Sequence, residues 1–276
     1  MGKRSKRKGG PVFTVALLVF ILGIAAVVFF EGYFKVRKPP VERPSPREAR
    51  PREVPSLPRV AIVIDDMGGD MGRLWEITAA GSTITVSVLP HLRYSREVAQ
   101  EAHRKGLEVL LHLPMEPMDS SINNPGKGAL TVGMSEGEVR ARLKDDIRAV
   151  PHIDGVNNHM GSLFTENEML MKEVVGVLKE RGLFFLESRT TPRSVALRVA
   201  RESGIRTVER NIFLDNRRDR SYIKGQFEEL FAIAKKKGRA VAIGHPYPET
   251  LEVLKEVMGD IKKQGVEVVR VSELAG

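Results

Sequence analysis

The 276-residue chain has no cysteine. That single absence excludes a disulfide framework, a thiolate zinc site and a cysteine nucleophile. A net charge of +9 looks at first like the footprint of a nucleic-acid partner, but it is confined to the N-terminal part. Residues 60–276 carry 31 basic and 31 acidic side chains, so the main body is neutral and no nucleic-acid partner is expected. Two phosphate-binding signatures are also missing. No Walker A pattern occurs, and the stretch Ile64-Asp65-Asp66-Met67-Gly68-Gly69-Asp70-Met71-Gly72 lacks the G-x-G-x-x-G spacing of a dinucleotide fold. It puts carboxylates where a pyrophosphate would sit. What remains is a composition of 42% apolar and 29% charged residues. This suits one or two globular domains and excludes a wholly disordered chain.

The first sixty residues read as an address. Residues 3–8 include five cations, Lys3, Arg4, Lys6, Arg7 and Lys8. Val12 to Phe30 is then a run of 19 uncharged residues, which as a helix rises about 28 Å, close to the hydrocarbon thickness of a bilayer. A cleavable signal peptide has a shorter apolar core and a small-residue cleavage site. Here the run ends in Phe29-Phe30-Glu31-Gly32-Tyr33-Phe34, an aromatic interface belt. Residues 1–34 are therefore expected to form a cytoplasmic basic tail and an uncleaved single-pass membrane anchor, with everything beyond on the outer, periplasmic side. Residues 35–59 hold seven of the sixteen prolines. Proline fixes φ and removes donors, so this segment reads as an extended linker.

From Val60 on, a pattern recurs: an amphipathic stretch, a glycine, then a short apolar run. Gly81, Gly106, Gly182, Gly204, Gly238 and Gly265 each precede such a run, as a left-handed helix stop followed by a buried strand would require. Ser135 with Glu138 and Thr165 with Glu168 read as capping boxes, and Thr191-Pro192 as a helix start with proline at its first position. With 60–64 and 153–157 added, about eight strands alternate with helices. That predicts a parallel α/β sheet, and the missing dinucleotide signature favours a (β/α) barrel over an open sheet.

In such folds chemistry sits at the carboxyl ends of the strands. Those ends carry Asp65-Asp66, His112 through Glu116, Asn157-Asn158-His159, Glu187-Ser188-Arg189, Asp215-Asn216 and Gly244-His245-Pro246. His91 also follows a strand but reads as structural, while His103 lies on a helix and His152 in a helix-to-strand connection at the opposite end. Two imidazoles and a carboxylate with an open fourth position form a catalytic divalent-metal arrangement, with zinc as the expected ion. Such an ion lowers the pKa of a water and polarises a carbonyl. The second carboxylate can then take the water's proton, and a histidine across the site can protonate the leaving group. Adjacent strand residues face opposite ways, so Asp65 and Asp66 share a site only if the chain leaves the strand there.

The segments Val60-Ala-Ile-Val-Ile-Asp-Asp66, His112-Leu-Pro-Met-Glu-Pro117, Asn157-Asn-His-Met-Gly-Ser162 and Gly244-His245-Pro246 resemble those of the divergent polysaccharide deacetylases, a branch of the carbohydrate esterase superfamily. The resemblance covers roughly residues 60–272. It implies a distorted (β/α) barrel, usually of seven strands (eight by the count above), and metal-dependent removal of acetyl groups from N-acetylated sugars. It carries the role of base to Asp65, of metal ligand to Asp66 and of general acid to His245. The superfamily follows strand three with two histidine ligands four residues apart. Here His112 holds the first place and Glu116 the second. His159 is then the natural replacement ligand, with Glu116 as a further ligand or a lid contact. Arg189 and Asp215 match by position the residues that orient the catalytic aspartate and the acid, and together with Glu116 and Asn158 they are the expected substrate-side residues.

Residues 114–134 form a loop of about twenty residues after strand three, expected as a lid or substrate wall. The reading of residues 60–276 is thus a membrane-anchored, metal-dependent hydrolase acting on acetylated envelope polysaccharide such as peptidoglycan. The alternative is a non-catalytic glycan-binding or scaffold protein on the same barrel.

Overall fold

A computed structural model describes residues 11–36, 57–81 and 83–276, and on the first helix the side chains of residues 11–18, 34 and 36 are not described. The chain divides into two units, Met1–Val54 and Pro55–Gly276. In the first, α1 (Pro11–Val36) is a single helix whose described apolar side chains, Val19 to Tyr33, are exposed. Among the described residues no helix is long and apolar enough to cross a membrane, so the span expected over 12–30 is not supported there. The basic tail and most of the linker lie outside the described residues.

In the second unit strands and helices alternate as β1 (Arg59–Met67), α2 (Met71–Ala80), β2 (Thr85–Val88), α3 (Ser95–Arg104), β3 (Glu108–Met115), α4 (Glu136–Ala149), β4 (Gly155–Met160), α5 (Glu168–Glu180), β5 (Phe184–Glu187) and α6 (Ala196–Glu202). They continue as β6 (Thr207–Glu209), β7 (Ile212–Phe213), α7 (Arg220–Lys237), β8 (Arg239–Gly244), α8 (Pro248–Asp260) and β9 (Glu267–Val268). The strands pair in the order β6-β5-β4-β3-β2-β1-β8-β7, with β9 beside β1. The pairings are parallel. The two ends of that order, β6 and β7, are pieces of one run. The amide of Arg210 still bonds to Glu187 on β5, while that of Asn211 bonds to Val241 on β8. The run 207–213 therefore leaves one end of the sheet and joins the other, which makes seven strand positions of eight strands and distorts the barrel at this seam.

Side-chain alternation divides the core in two. Ala61, Val63, Leu110, Phe184, Leu186, Val208, Val241 and Ile243 form the interior cluster. Their neighbours Val60, Ile62, Ile64, Val109, Leu111 and Ala242 pack with the helices in the larger one. Gly155 is needed inside because a Cβ there would lie 2.6 Å from the Phe184 ring. Helix signals agree in part. Ser135 and Glu138 form a capping box on α4. Gly238 ends α7 in the left-handed conformation, and Phe227, Leu230, Phe231 and Ala234 are its buried face. Two expected starts are wrong. Asn167, not Thr165, caps α5, because the Thr165 hydroxyl donates back to the Gly161 carbonyl. Thr191-Pro192 lies in a loop, and α6 begins at Ala196.

The expected strand over 266–271 is also corrected. Only two residues of it pair, and Val269, Val271 and Leu274 instead plug the interior cluster from below. Glu108, buried on the inward row of β3, ties this plug down. It accepts from the Thr85 hydroxyl at 2.8 Å and from the amides of Val271 at 2.9 Å and Ser272 at 3.3 Å. Burial pushes its carboxyl above the usual range, opposed by hydrogen bonds from Ser272 and Thr85. A group that holds its proton more tightly folded than unfolded gives stability that is complete below its unfolded pKa, about 4.3 for glutamate. That stability is lost as pH rises through the folded value. Urea midpoints measured from pH 4 upward should therefore decline more steeply for the wild type than for Glu108→Gln. Parallel curves would refute this account.

Candidate active site

Each inward row of the barrel ends at the carboxyl rim in a polar residue. Ala61 and Val63 lead to Asp65, Thr85 to Ser87, Leu110 to His112, Gly155 to Asn157 and His159, Phe184 and Leu186 to Ser188, and Val241 and Ile243 to His245. Parity alone would turn Asp66 outward. The chain does not leave β1 there, as the sequence suggested. Instead β1 keeps pairing with β2 through a register shift between Ile64 and Met67, and Asp66 takes φ +57°. A bulge of this kind re-aims a side chain. Positive φ is uncommon for a non-glycine residue, and four of the five such residues, Asp66, His91, Met160 and Arg189, lie at or just past strand ends on this rim. Such backbone strain tends to gather at functional sites.

Asp66, His112 and His159 form one group, with a ligand atom from each within 4.8 Å of the others. Asp66 Oδ1 is 3.1 Å from His112 Nε2 and 3.1 Å from His159 Nδ1, and the two nitrogens are 3.0 Å apart. Despite those approaches, Asp66 Oδ1 is buried with no hydrogen-bond partner among the described residues. Three donors this close are near the edge length of a ligand tetrahedron, about 3.3 Å for bonds of roughly 2.0 Å. The orphaned oxygen and the two imidazoles thus fit a divalent cation. Burial alone would raise the Asp66 carboxyl, but the two imidazoles outweigh it and hold it far below the usual range.

Asn157 organises the centre. Its Nδ2 donates to both oxygens of Asp65, at 2.9 and 3.2 Å, which fixes its Oδ1 toward His112 Nδ1 at 2.9 Å. An amide oxygen only accepts, so Nδ1 of His112 carries the proton and Nε2 presents its lone pair to the ligand group. Ser87 also donates to this amide oxygen. Burial pushes the Asp65 carboxyl up, against the pull of His112 and His245, so it is a stronger base than an exposed aspartate.

His245 lies on the other flank of Asp66, with Nε2 4.0 Å from Asp66 Oδ2. Asp215 holds it, taking Nδ1–H at 2.8 Å through Oδ1 and the His245 amide at 2.6 Å through Oδ2. The Thr250 hydroxyl also donates to Oδ2, at 2.8 Å. Burial disfavours charge on this imidazole, but Asp215 outweighs it and the pKa is pushed up to about 9.

The structure brings together Asp65, Asp66, His112, His159 and His245, and gives the remaining expected residues other places. Asp215 reaches the site only through His245. Glu116 stands outside the ligand group, its carboxylate accepting from the Val132 amide at 2.7 Å, so it stitches the loop 116–132 shut. Asn158 was expected to face substrate, but it is 1% exposed. Its amide is used by Met160 O, Thr190 Oγ1 and the Ser188 amide, which leaves nothing for a substrate. Arg189 is exposed on the rim and pairs with Glu209 at 3.0 Å. His91 is structural as expected, bonding to buried Asp146 at 2.7 Å. Sequence reasoning missed Asn157 and Ser87. The inward parity of β4 and β2 was the signal that could have found them.

The family model for divergent polysaccharide deacetylases matches residues 62–275. The Escherichia coli protein YibQ is 36% identical over 216 residues, 78% of this chain and 67% of its own. A Haemophilus influenzae protein is 40% identical over 196 residues, 71% of this chain and 69% of its own. The crystal structure of the Agrobacterium tumefaciens protein ATU2773 superposes with a TM-score of 0.76 at 24% identity, covering 82% of this chain and 92% of that one. This last likeness concerns the fold.

Proposed function

The chain belongs to the divergent polysaccharide deacetylase family, and from that premise we propose that it is a metal-dependent hydrolase that removes acetyl groups from an N-acetylated envelope polysaccharide such as peptidoglycan. The observation that carries the reading is the orphaned oxygen of Asp66 facing two imidazole nitrogens, flanked by a buried carboxylate and an imidazole that a second carboxylate holds. Asp66, His112 and His159 would hold the ion, with zinc the ion their donor set suits. Bound there, it would supply Lewis acidity, polarising the amide carbonyl and acidifying a water.

The chain's own residues divide the proton work. Asp65 accepts the proton of the attacking water, and the Asn157 amide keeps its carboxylate oriented while it does so. The Asp215 carboxylate on Nδ1 holds His245 as the imidazolium, so Nε2 carries a proton as well and delivers it to the departing sugar nitrogen. The expected result is acetate release from an N-acetylated glucosamine oligosaccharide by the zinc-loaded full chain and at most a trace by Asp65→Asn. Equal release by the two would remove Asp65 from the mechanism.

We also propose that residues 1–34 anchor the protein in the cytoplasmic membrane with the body outside. The basis is the uncharged run of residues 12–30 behind a cluster of five cations. Cell fractionation should leave the full-length chain in the membrane, with its body open to protease from the outer side only. A soluble, N-terminally shortened product would refute the anchor.

A further inference from the structure

The walls around His245 carry an unabsorbed feature. The imidazole packs between two aromatic rings, stacked on Phe213 at 6.2 Å and tilted against Tyr247 at 5.5 Å. Each ring is covered in turn by a guanidinium, with Arg210 3.6 Å above Phe213 and Arg218 3.6 Å above Tyr247. Arg210 donates, among the described residues, only to main-chain carbonyls, to Ser188 at 2.7 Å and Arg189 at 3.1 Å. Among the described residues, neither Arg210 nor Arg218 makes an ion pair with a carboxylate. Arg210 also lines a cavity of about 360 Å³ with Arg189, Thr190, Thr191, Pro192 and Asn211. Burial, and after it the charge of Arg189, lowers the Arg210 guanidinium to about 10, only partly offset by Glu187 and Asp65.

Stacking on a ring occupies the face of a guanidinium and leaves its edges for hydrogen bonds. Arg210 spends Nε and one N–H of Nη2 on the two carbonyls and keeps its Nη1–Nη2 end, and among the described residues Arg218 keeps its whole fork. That fork matches the two oxygens of a carboxylate or a phosphate. A neutral saccharide offers hydroxyl and amide oxygens but no charge to offset the cation's. We infer that the wall beside His245 is a recognition site for an oxyanion carried by the glycan, read by Arg210 and Arg218, so that the substrate is an acidic N-acetylated polysaccharide. This rests on the deacetylase reading, in which His245 faces the leaving sugar and a neighbouring unit of the polymer passes these two arginines.

The test is a binding titration of the full chain in detergent, in the Asp65→Asn background so that nothing is consumed. The probes are an N-acetylglucosamine oligosaccharide, its analogue with a hexuronic acid as the adjacent unit, and its analogue with a phosphate monoester there. At low salt at least one anionic probe should bind roughly tenfold more tightly than the neutral one, as one charge-assisted fork would give, and the better of the two identifies the oxyanion. The preference should shrink toward physiological salt, where the screening length is about 8 Å. It should fall severalfold in exposed Arg218→Gln, and also in Arg210→Lys, which keeps the charge but loses the fork. Equal affinity for all three probes, or a preference unchanged in both variants, overturns the inference and leaves the deacetylase reading standing. Binding of none of them overturns that reading as well.

Discussion

Replacing His159 by alanine is expected to cost the full chain its zinc affinity by more than the roughly 10–100-fold that loss of an outer-shell partner costs. His159 Nδ1 lies 3.1 Å from Asp66 Oδ1 and 3.0 Å from His112 Nε2, so its removal opens one corner of a three-cornered site and leaves an aspartate and one histidine. Asn157→Ala should fall within that 10–100-fold range, because it releases the tautomer of His112 without removing a ligand. Glu116→Ala should leave affinity unchanged, since its carboxylate is held by the Val132 amide. Competition with a chromophoric chelator reads all three. Unchanged affinity in His159→Ala with loss in Glu116→Ala would transfer the third position to Glu116.

His245→Ala should lower kcat for deacetylation by on the order of 10²–10⁴-fold, the range for a positioned general acid, while metal content stays at the wild-type level. The imidazole approaches the ligand group no nearer than 4.0 Å from Asp66 Oδ2, so its loss removes a proton donor and no ligand. Asp215→Asn keeps the imidazole but weakens what fixes it. Its kcat should lie between wild type and His245→Ala, again with full metal. A variant that loses metal and activity together would instead make His245 part of the metal shell.

Much of this site could be read from the order of residues along the chain, because a parallel barrel sends its chemistry to strand ends and the glycines mark where each strand begins. What escaped the sequence is local backbone geometry. Asp65 and Asp66 were both legible as site residues, yet the bulge that lets both face inward appears only as a register shift and a positive φ. Asn157 and Asn158 are chemically identical neighbours. Alternation sends Asn157 into the barrel, where it orients Asp65 and His112, and Asn158 into ties between β4 and the start of the β5 loop, a division that their identical chemistry does not reveal. Glu116 sits four residues after His112, at the spacing of the superfamily's second ligand, but β3 runs on to Met115 and the Val132 amide takes the Glu116 carboxylate away from the site. The seam over 207–213 was invisible because the polar Glu209-Arg210-Asn211 between Thr207-Val208 and Ile212-Phe213 does not say where the strand changes partners. The plug at 266–271 reads as a strand because burial inside a barrel floor and burial in a sheet leave the same pattern.

The central claim is that this chain hydrolyses an acetamide with a metal held by Asp66, His112 and His159. It is tested most directly by acetate release from an N-acetylated oligosaccharide by the full chain as purified, after chelator stripping, and after zinc is restored. The account predicts turnover that vanishes on stripping, returns with about one equivalent of zinc, and does not return in His159→Ala. Full zinc occupancy without turnover, in a protein that still binds the glycan, would contradict it and leave a glycan-binding scaffold on the same barrel.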